Sequence, residues 1–290
     1  MTLARATTPR AMRRLSRQLK TRGKTLAFVP TMGALHEGHL SLVRLAARSA
    51  RRVAVSIYVN PLQFGPSEDL GRYPRDLKRD LALLAKERVD AVYLPSDETL
   101  YPEGFSSRIT VGGLDSILEG ASRPGHFAGV CTVVTKLLLT VEPDVLVLGQ
   151  KDAQQCVILE RLVRDLDLPV RVRRGPTVRE PDGLALSSRN AYLTPEERAQ
   201  AAVLYQGLCR AREAAKAGET DPVSLRERVV RHVVSAPLAR LEYVEVVDPR
   251  TLARIDRASG EGLIVLACRF GATRLIDNLA FRAPRAAGSR

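Results

Sequence analysis

Lysine is scarce in this 290-residue chain, supplying only seven of its 45 basic residues, so arginine carries nearly all of the formal net charge of +13. Aromatic residues amount to 4%, too few for base-stacking platforms. With no block of consecutive lysines and arginines, the excess charge reads as arginine spread over the surface, and no nucleic-acid partner is expected. No apolar run approaches the roughly 20 residues that span a bilayer, which excludes a membrane partner of that kind. The four cysteines, Cys131, Cys156, Cys209 and Cys268, lie far apart inside apolar stretches. Without a C-x-x-C pair they predict buried free thiols in a reducing compartment rather than a zinc or redox site. Phosphate-binding signatures of the Walker and G-x-G-x-x-G types are missing. So are a Ser-His-Asp order and a catalytic carboxylate pair.

What is present is an ordinary globular composition, 45% hydrophobic and 27% charged, in a chain long enough for one large or two modest domains. Residues 1–24 hold eight basic residues and no acid, a transit-peptide-like composition. Met12, Leu15 and Leu19 nevertheless form a helical stripe, which predicts a packed first helix followed directly by the first core strand. Strand-like runs at Leu26 to Val29, Val53 to Val59, Val89 to Leu94, Val145 to Leu148 and Val170 to Val172 alternate with helical stretches. The latter are expected at 39–50, 68–88, 130–141 and 153–166, with an irregular Gly- and Pro-rich segment over 96–128. This rhythm predicts an α/β fold, a Rossmann-like doubly wound parallel sheet covered on both faces. After the turn signal Pro181-Asp182-Gly183 the pattern becomes α+β, with helices at 195–217 and 222–234 and strands at 241–247 and 262–268. The expected domains are therefore 1–180, Rossmann-like, and 181–290, smaller and α+β. Ala283 to Arg290 reads as a frayed end.

The ten residues from Pro30, PTMGALHEGH, join a strand to a helix start. A tight turn at a helix N-terminus holds anions through backbone N–H groups and the helix dipole. His36 and His39, three residues apart, should lie on one side of the opening turn, where imidazoles can meet a nucleotide's phosphates. Their spacing is too short for an H-E-x-x-H zinc pair. In a parallel sheet, ligands sit at the carboxyl ends of strands. The polar segments at such ends are this turn, Asn60-Pro61-Leu62-Gln63-Phe64, and Gly149-Gln150-Lys151-Asp152. All three are expected to converge on one crevice.

Lys151, beside a helix start, suits a phosphate as a point charge. Ser187, Ser188 and Arg189 place two hydroxyls and a guanidinium in a loop, donors that suit triphosphate oxygens or simply cap the following turn. Gln63 and Gln155 are neutral amides, better matched to a hydroxyl or carbonyl than to phosphate. Arg123 and His126 leave their role open between the crevice, the loop's own structure and an interface. Together these residues describe ATP bound beside an organic acid, a layout for nucleotidyl transfer to a carboxylate, in which charge neutralisation matters more than a strong base.

PTMGALHEGH, VNPLQF, EDLGRYPRDLKRD, EGASRPGHFAGV, LGQKDAQQ, GLALSSRNAYL and GATRLIDN, in this order over nearly the whole chain, resemble the pantoate–β-alanine ligase (pantothenate synthetase) family of HIGH-motif nucleotidyltransferases. The resemblance implies that pantoate's carboxylate attacks Mg-ATP to give pantoyl adenylate, whose acyl group passes to β-alanine, yielding pantothenate, AMP and pyrophosphate. It implies ATP contacts from Met32, Gly33, Ala34, Leu35, His36, Glu37, Gly38 and His39, with His39 as proton donor and His36 stabilising phosphates. Gly149, Gln150, Lys151 and Asp152 would continue that site, Lys151 neutralising charge. Val178, Leu186, Ser187, Ser188 and Arg189 would complete it, with LSSR standing where a synthetase-type KMSKS lysine is absent. Gln63 and Gln155 would bind pantoate, Gln63 also lying near β-alanine and Asn60 supporting the pocket. ATP enters as substrate, Mg2+ is expected with it, and the metal's ligands stay undetermined. The resemblance further implies a cytoplasmic homodimer whose second domain closes as a lid. Two competing readings are another HIGH-type adenylyltransferase with a phosphate-bearing acceptor, and a basic nucleic-acid-binding module.

Overall fold

The computed structural model describes residues 3–66 and 68–284. The chain separates into two compact units, one running to Gln150 and including Ile158–Pro176, the other formed by Lys151–Val157 and the residues from Thr177 on. The backbone passes from one to the other after Gln150, within the helix Ala153–Asp165, and after Pro176.

The first unit is an alternation of strands and helices: β1 (Ala4–Ala6), α1 (Pro9–Leu19), β2 (Leu26–Thr31), α2 (Glu37–Ser49), β3 (Arg52–Ile57), α3 (Leu77–Lys86) and β4 (Ala91–Tyr93). There follow the single turns α4 (Asp97–Leu100) and α5 (Glu119–Ser122), then α6 (His126–Val141), β5 (Val145–Gly149), α7 (Ala153–Asp165) and β6 (Arg171–Gly175). Every ladder in the sheet is parallel and the strand order is β1-β4-β3-β2-β5-β6. The order reverses between β2 and β5, and at such a switch point the carboxyl ends of doubly wound strands leave a crevice. The central strands are largely apolar, with Leu26, Ala27, Phe28 and Val29 of β2 fully buried, whereas the edge strand β6 carries Arg171, Arg173 and Arg174. Val43 and Ala46 of α2 and Leu81 and Leu84 of α3 join Ala27, Val29, Val55, Val92 and Val147 in one core cluster.

The second unit holds α8 (Pro195–Ala201), α9 (Val203–Lys216) and α10 (Pro222–Val233), with an antiparallel sheet β7 (Ala239–Val247), β8 (Gly260–Phe270) and β9 (Thr273–Ala283). Leu204, Leu208 and Ala211 of α9 and Leu225, Val229 and Val233 of α10 share a core with Val244, Ile264, Leu266 and Leu275 of the sheet.

Several expectations are corrected. A strand, β1, precedes the first helix and pairs with β4; three residues carry too little periodicity to be read from sequence. The packed first helix itself is there, capped by the Thr8 hydroxyl with Pro9 at its first turn, and burying Met12 and Ser16. The helix expected over 68–88 starts only at Leu77, because the Asp76 carboxylate caps it by accepting from Arg79 N at 2.9 Å. The helix expected from 130 begins four residues earlier at His126, and the long one over 195–217 is divided at Ala202. Strand β9 was not foreseen. Ala283, read as the start of a frayed end, pairs with Gly260, while residues 285–290 lie outside the described ones. Three of the four cysteines are buried free thiols, and Cys209 is half-buried.

Candidate active site

The histidine turn is built from the inside out. At the end of β2 the Thr31 hydroxyl donates to Ser56 O at 2.7 Å and accepts from Gly33 N at 3.3 Å. Gly33 takes φ +84, and a Cβ there would stand 3.0 Å from Asp80 Oδ2 and Ile57 Cγ2, so glycine is the residue that fits. Ala34 also has positive φ, at 48°. That conformation is held by Asp80 of α3, whose carboxylate accepts from Ala34 N at 2.9 Å and Leu35 N at 2.8 Å. Arg79 donates to Leu35 O at 3.0 Å. Burial pushes the Asp80 carboxyl above its usual range, opposed by these two N–H donors and by Arg79.

The two imidazoles then form a capping box at the start of α2. His36 Nδ1 accepts from Gly38 N at 3.2 Å, and His39 Nδ1 accepts from His36 N at 3.4 Å. The ring centroids are 4.1 Å apart and the planes are tilted by 38°. An Nδ1 that accepts carries no proton, so each ring bears its N–H on Nε2. Six backbone donors of the turn are used internally: Gly33, Ala34, Leu35, His36 and Gly38 by side chains, His39 by the His36 carbonyl. An anion at this helix start would meet imidazole Nε2–H groups as well as the helix dipole. Glu37 pairs with Arg44, which also binds Glu87, and Leu35 is buried in the core cluster.

After β3, Asn60 and Gln63 are both buried. Asn60 Nδ2 donates to Gly129 O and to Gln63 Oε1, each at 3.1 Å, and its Oδ1 accepts from the Tyr101 hydroxyl at 2.8 Å. Gln63 Nε2 lies 3.0 Å from Met32 Sδ, which ties this amide to the histidine turn. At the end of β5, Gly149 is paired with Gly175, and Gln150 Oε1 accepts from Arg174 at 3.4 Å.

In the second unit Lys151 Nζ stands 3.3 Å from Asp152 Oδ1, and the Lys151 carbonyl accepts from Asn278 Nδ2 at 2.9 Å. Gln155 is half-buried in the first turn of α7. Val178 O accepts from Leu186 N at 3.0 Å. Between them Gly183, at φ +97, packs where Tyr205 leaves no room for a Cβ. The Ser187 hydroxyl accepts from Arg189 N at 3.3 Å and caps the 3-10 turn Ser188–Tyr192. The whole hairpin hangs on Arg179, which binds Asp277 through two bonds of 2.6 and 2.9 Å and donates to Gly183 O at 3.0 Å. Burial pushes the Asp277 carboxyl up while the Arg179 guanidinium pulls it down.

Each unit thus gathers its own share of the expected residues: Met32 to His39, Asn60, Gln63, Gly149 and Gln150 in the first, Lys151, Asp152, Gln155, Val178 and Leu186 to Arg189 in the second. Sequence reasoning missed the residues that hold them, namely Thr31, Asp80, Tyr101, Arg179, Asp277 and Asn278. Asp80 lies in the stretch EDLGRYPRDLKRD and Asp277 and Asn278 in GATRLIDN, so both motifs were visible without their partners. No described helix is long and apolar enough to cross a membrane.

A profile of the pantoate-beta-alanine ligase family matches residues 4–280. The pantothenate synthetase of Carboxydothermus hydrogenoformans is 55% identical over 260 residues, 89% of this chain and 92% of that protein. The pantothenate synthetase of Thermotoga neapolitana is 51% identical over 267 residues, 92% of this chain and 95% of its own. Among solved structures, the pantothenate synthetase from Thermus thermophilus superposes with a TM-score of 0.91 at 46% identity, covering 96% of this chain and 99% of the other. The pantoate-beta-alanine ligase from Francisella tularensis, complexed with beta-gamma ATP and beta-alanine, gives 0.81 at 36% identity over 96% and 97% of the two chains. This chain belongs to the pantoate–β-alanine ligase family.

Proposed function

We propose that this ligase joins (R)-pantoate to β-alanine through a pantoyl adenylate, and that the residues described above divide the work as follows from their chemistry. The pantoate carboxylate attacks the α-phosphorus of ATP, an anhydride forms and pyrophosphate leaves. The β-alanine amine then attacks the acyl carbon, gives up a proton, and AMP departs with the electron pair of the broken anhydride bond. Neither step needs a strong base; both need negative charge to be met as it moves.

The observation that carries this reading is the histidine turn. With both Nδ1 atoms committed to the helix start, His36 and His39 are fixed as paired Nε2–H donors, preorganised for phosphate oxygens at the positive end of α2. His39 donates to the departing phosphate oxygen and His36 stabilises the phosphates, with Met32 to Gly38 shaping the ATP contact. Lys151 adds charge, alongside Gly149, Gln150 and Asp152. Val178 and Leu186 with Ser187, Ser188 and Arg189 bind the rest of the nucleotide. Gln63 and Gln155 bind pantoate, with Asn60 behind Gln63. Mg2+ enters on the ATP phosphates as part of the substrate; among the described residues no three His, Cys, Asp or Glu side chains are grouped to hold a metal, which suits an ion liganded by phosphate and water. A homodimer in the cytoplasm is part of this reading, supported by the family resemblance and, for the compartment, by four free cysteines that suit a reducing environment. Many arginines are engaged by acids, among them Arg52, Arg123, Arg174, Arg179 and Arg198, which favours small substrates over nucleic acid.

The test is product analysis. Pyrophosphate and AMP should appear only when pantoate is supplied, and pantothenate only when β-alanine is added. ADP as product, or equal turnover with a phosphate-bearing acceptor in place of pantoate, would overturn the assignment.

A further inference from the structure

The amide of Gln63 is gripped at both ends, and the two grips meet in the first turn of α6. On the side-chain end, Gly129 O can only accept, so the atom of Asn60 that faces it at 3.1 Å is Nδ2. Its Oδ1 is then committed to Leu62 N at 3.4 Å and the Tyr101 hydroxyl at 2.8 Å. Because the same Nδ2 donates to Gln63 Oε1, the glutamine oxygen is spent and its nitrogen is left to donate. That nitrogen faces a thioether, Met32 Sδ, a weak acceptor that a carboxylate or hydroxyl oxygen would outcompete.

On the main-chain end, Gln63 O accepts from His126 Nδ1 at 2.8 Å and from Arg123 Nη2 at 3.3 Å. A carbonyl cannot donate, so the His126 proton is on Nδ1, and Nε2 is free to accept from Arg123 Nη1 at 3.0 Å. Arg123 is itself oriented by Glu68, through Nε at 2.8 Å and Nη2 at 2.5 Å. Burial, with the Arg123 charge beside it, pushes His126 down to about 4, so the neutral ring persists through the physiological range. Gly129 lets the helix approach this closely: a Cβ there would collide with the Leu62 carbonyl and Gln63 N.

We propose that His126 is a positioning residue for acid binding: as a neutral Nδ1–H donor locked by Arg123, it clamps the Gln63 carbonyl so that the Gln63 amide presents N–H to an oxygen of the hydroxy-acid substrate. The inference rests on the reading of Gln63 as a pantoate ligand. It assigns a role to Arg123 and His126 that motif reading leaves open, and it predicts a specificity for acceptor oxygens at this subsite.

Steady-state kinetics of the full-length enzyme test it, with pantoate varied at saturating ATP and β-alanine, on Gln63→Ala, His126→Ala, His126→Asn and His126→Gln. The nitrogen of asparagine overlies Nδ1 of histidine, whereas that of glutamine overlies Nε2. His126→Ala should raise the KM for pantoate about tenfold, the loss of one well-placed hydrogen bond, and leave the KM for ATP unchanged. His126→Asn should restore most of the loss and His126→Gln should not. Should His126→Ala fail to fold, as judged by thermal unfolding, the contrast between His126→Asn and His126→Gln still decides. Equal KM values in those two variants, or an effect on ATP instead of pantoate, would overturn the inference. Gln63→Ala with an unchanged KM for pantoate would bring down the Gln63 reading and the inference together. An impaired Gln63→Ala beside a flat His126 series would remove only the inference.

Discussion

Asp80 offers the sharpest perturbation, because one buried carboxylate holds the backbone that aims both histidines. It is 1% exposed and accepts from two N–H groups, Ala34 and Leu35. In Asp80→Ala both donors lose their partner inside the protein, at about 1–3 kcal/mol each, so roughly 2–6 kcal/mol in all. Asp80→Asn keeps one acceptor and turns an NH2 toward the other donor, costing about 1–3 kcal/mol. Neither loss need unfold a two-unit chain outright, because Ala34 stands in the left-handed region and can relax. A positive φ costs an L-residue roughly 1–2 kcal/mol, which the Asp80 bonds now offset. Relaxation would swing the start of α2 and with it the Nε2–H pair, and a displacement of about 1 Å at a reacting centre costs on the order of a hundredfold in rate. Urea unfolding and pantoate-dependent pyrophosphate release, read on the same preparations, separate the two effects. We expect both to fall, Asn less than Ala. A variant that loses stability yet releases pyrophosphate at the wild-type rate per folded molecule would refute the link between Asp80 and the histidines.

Two further outcomes follow from buried charge. Arg179→Met strands the Asp277 carboxylate, 2% exposed, and should cost about 3–5 kcal/mol in urea unfolding, while Arg179→Met with Asp277→Leu should regain most of it; equal losses in single and double variants would show that the pair is not what braces the hairpin. His126, whose folded value of about 4 lies below the ordinary 6.5, binds fewer protons folded than unfolded between those values, so stability should be complete above pH 6.5 and decline toward pH 4. The decline attributable to this ring is about 3 kcal/mol, with Arg123 and the acids Glu68 and Glu119 as the charges around it; His126→Asn should flatten the slope, and an unchanged slope in that variant would place the titration elsewhere.

The alternation of apolar strand runs with amphipathic helices was enough to determine the parallel α/β sheet, because central strands covered on both faces are apolar nearly throughout, and that needs no knowledge of neighbours. The turn PTMGALHEGH was legible for a similar reason: a positive-φ glycine, a helix start and two histidines in its first turn are all local. What the residues could not declare alone were contacts distant in sequence. The strand β9 hid because Asp277 and Asn278 interrupt its apolar pattern, and their burial makes sense only once Arg179 and the Lys151 carbonyl lie against them. Asp80 looked like one more charge on a polar helix until folding set its carboxylate against two N–H groups some 45 residues earlier in the chain. Hydrogen-bond partners, and hence tautomers and amide orientations, belong to tertiary structure. The sequence supplied the reactive groups; which of their atoms is left to donate was decided only when the chain closed around them.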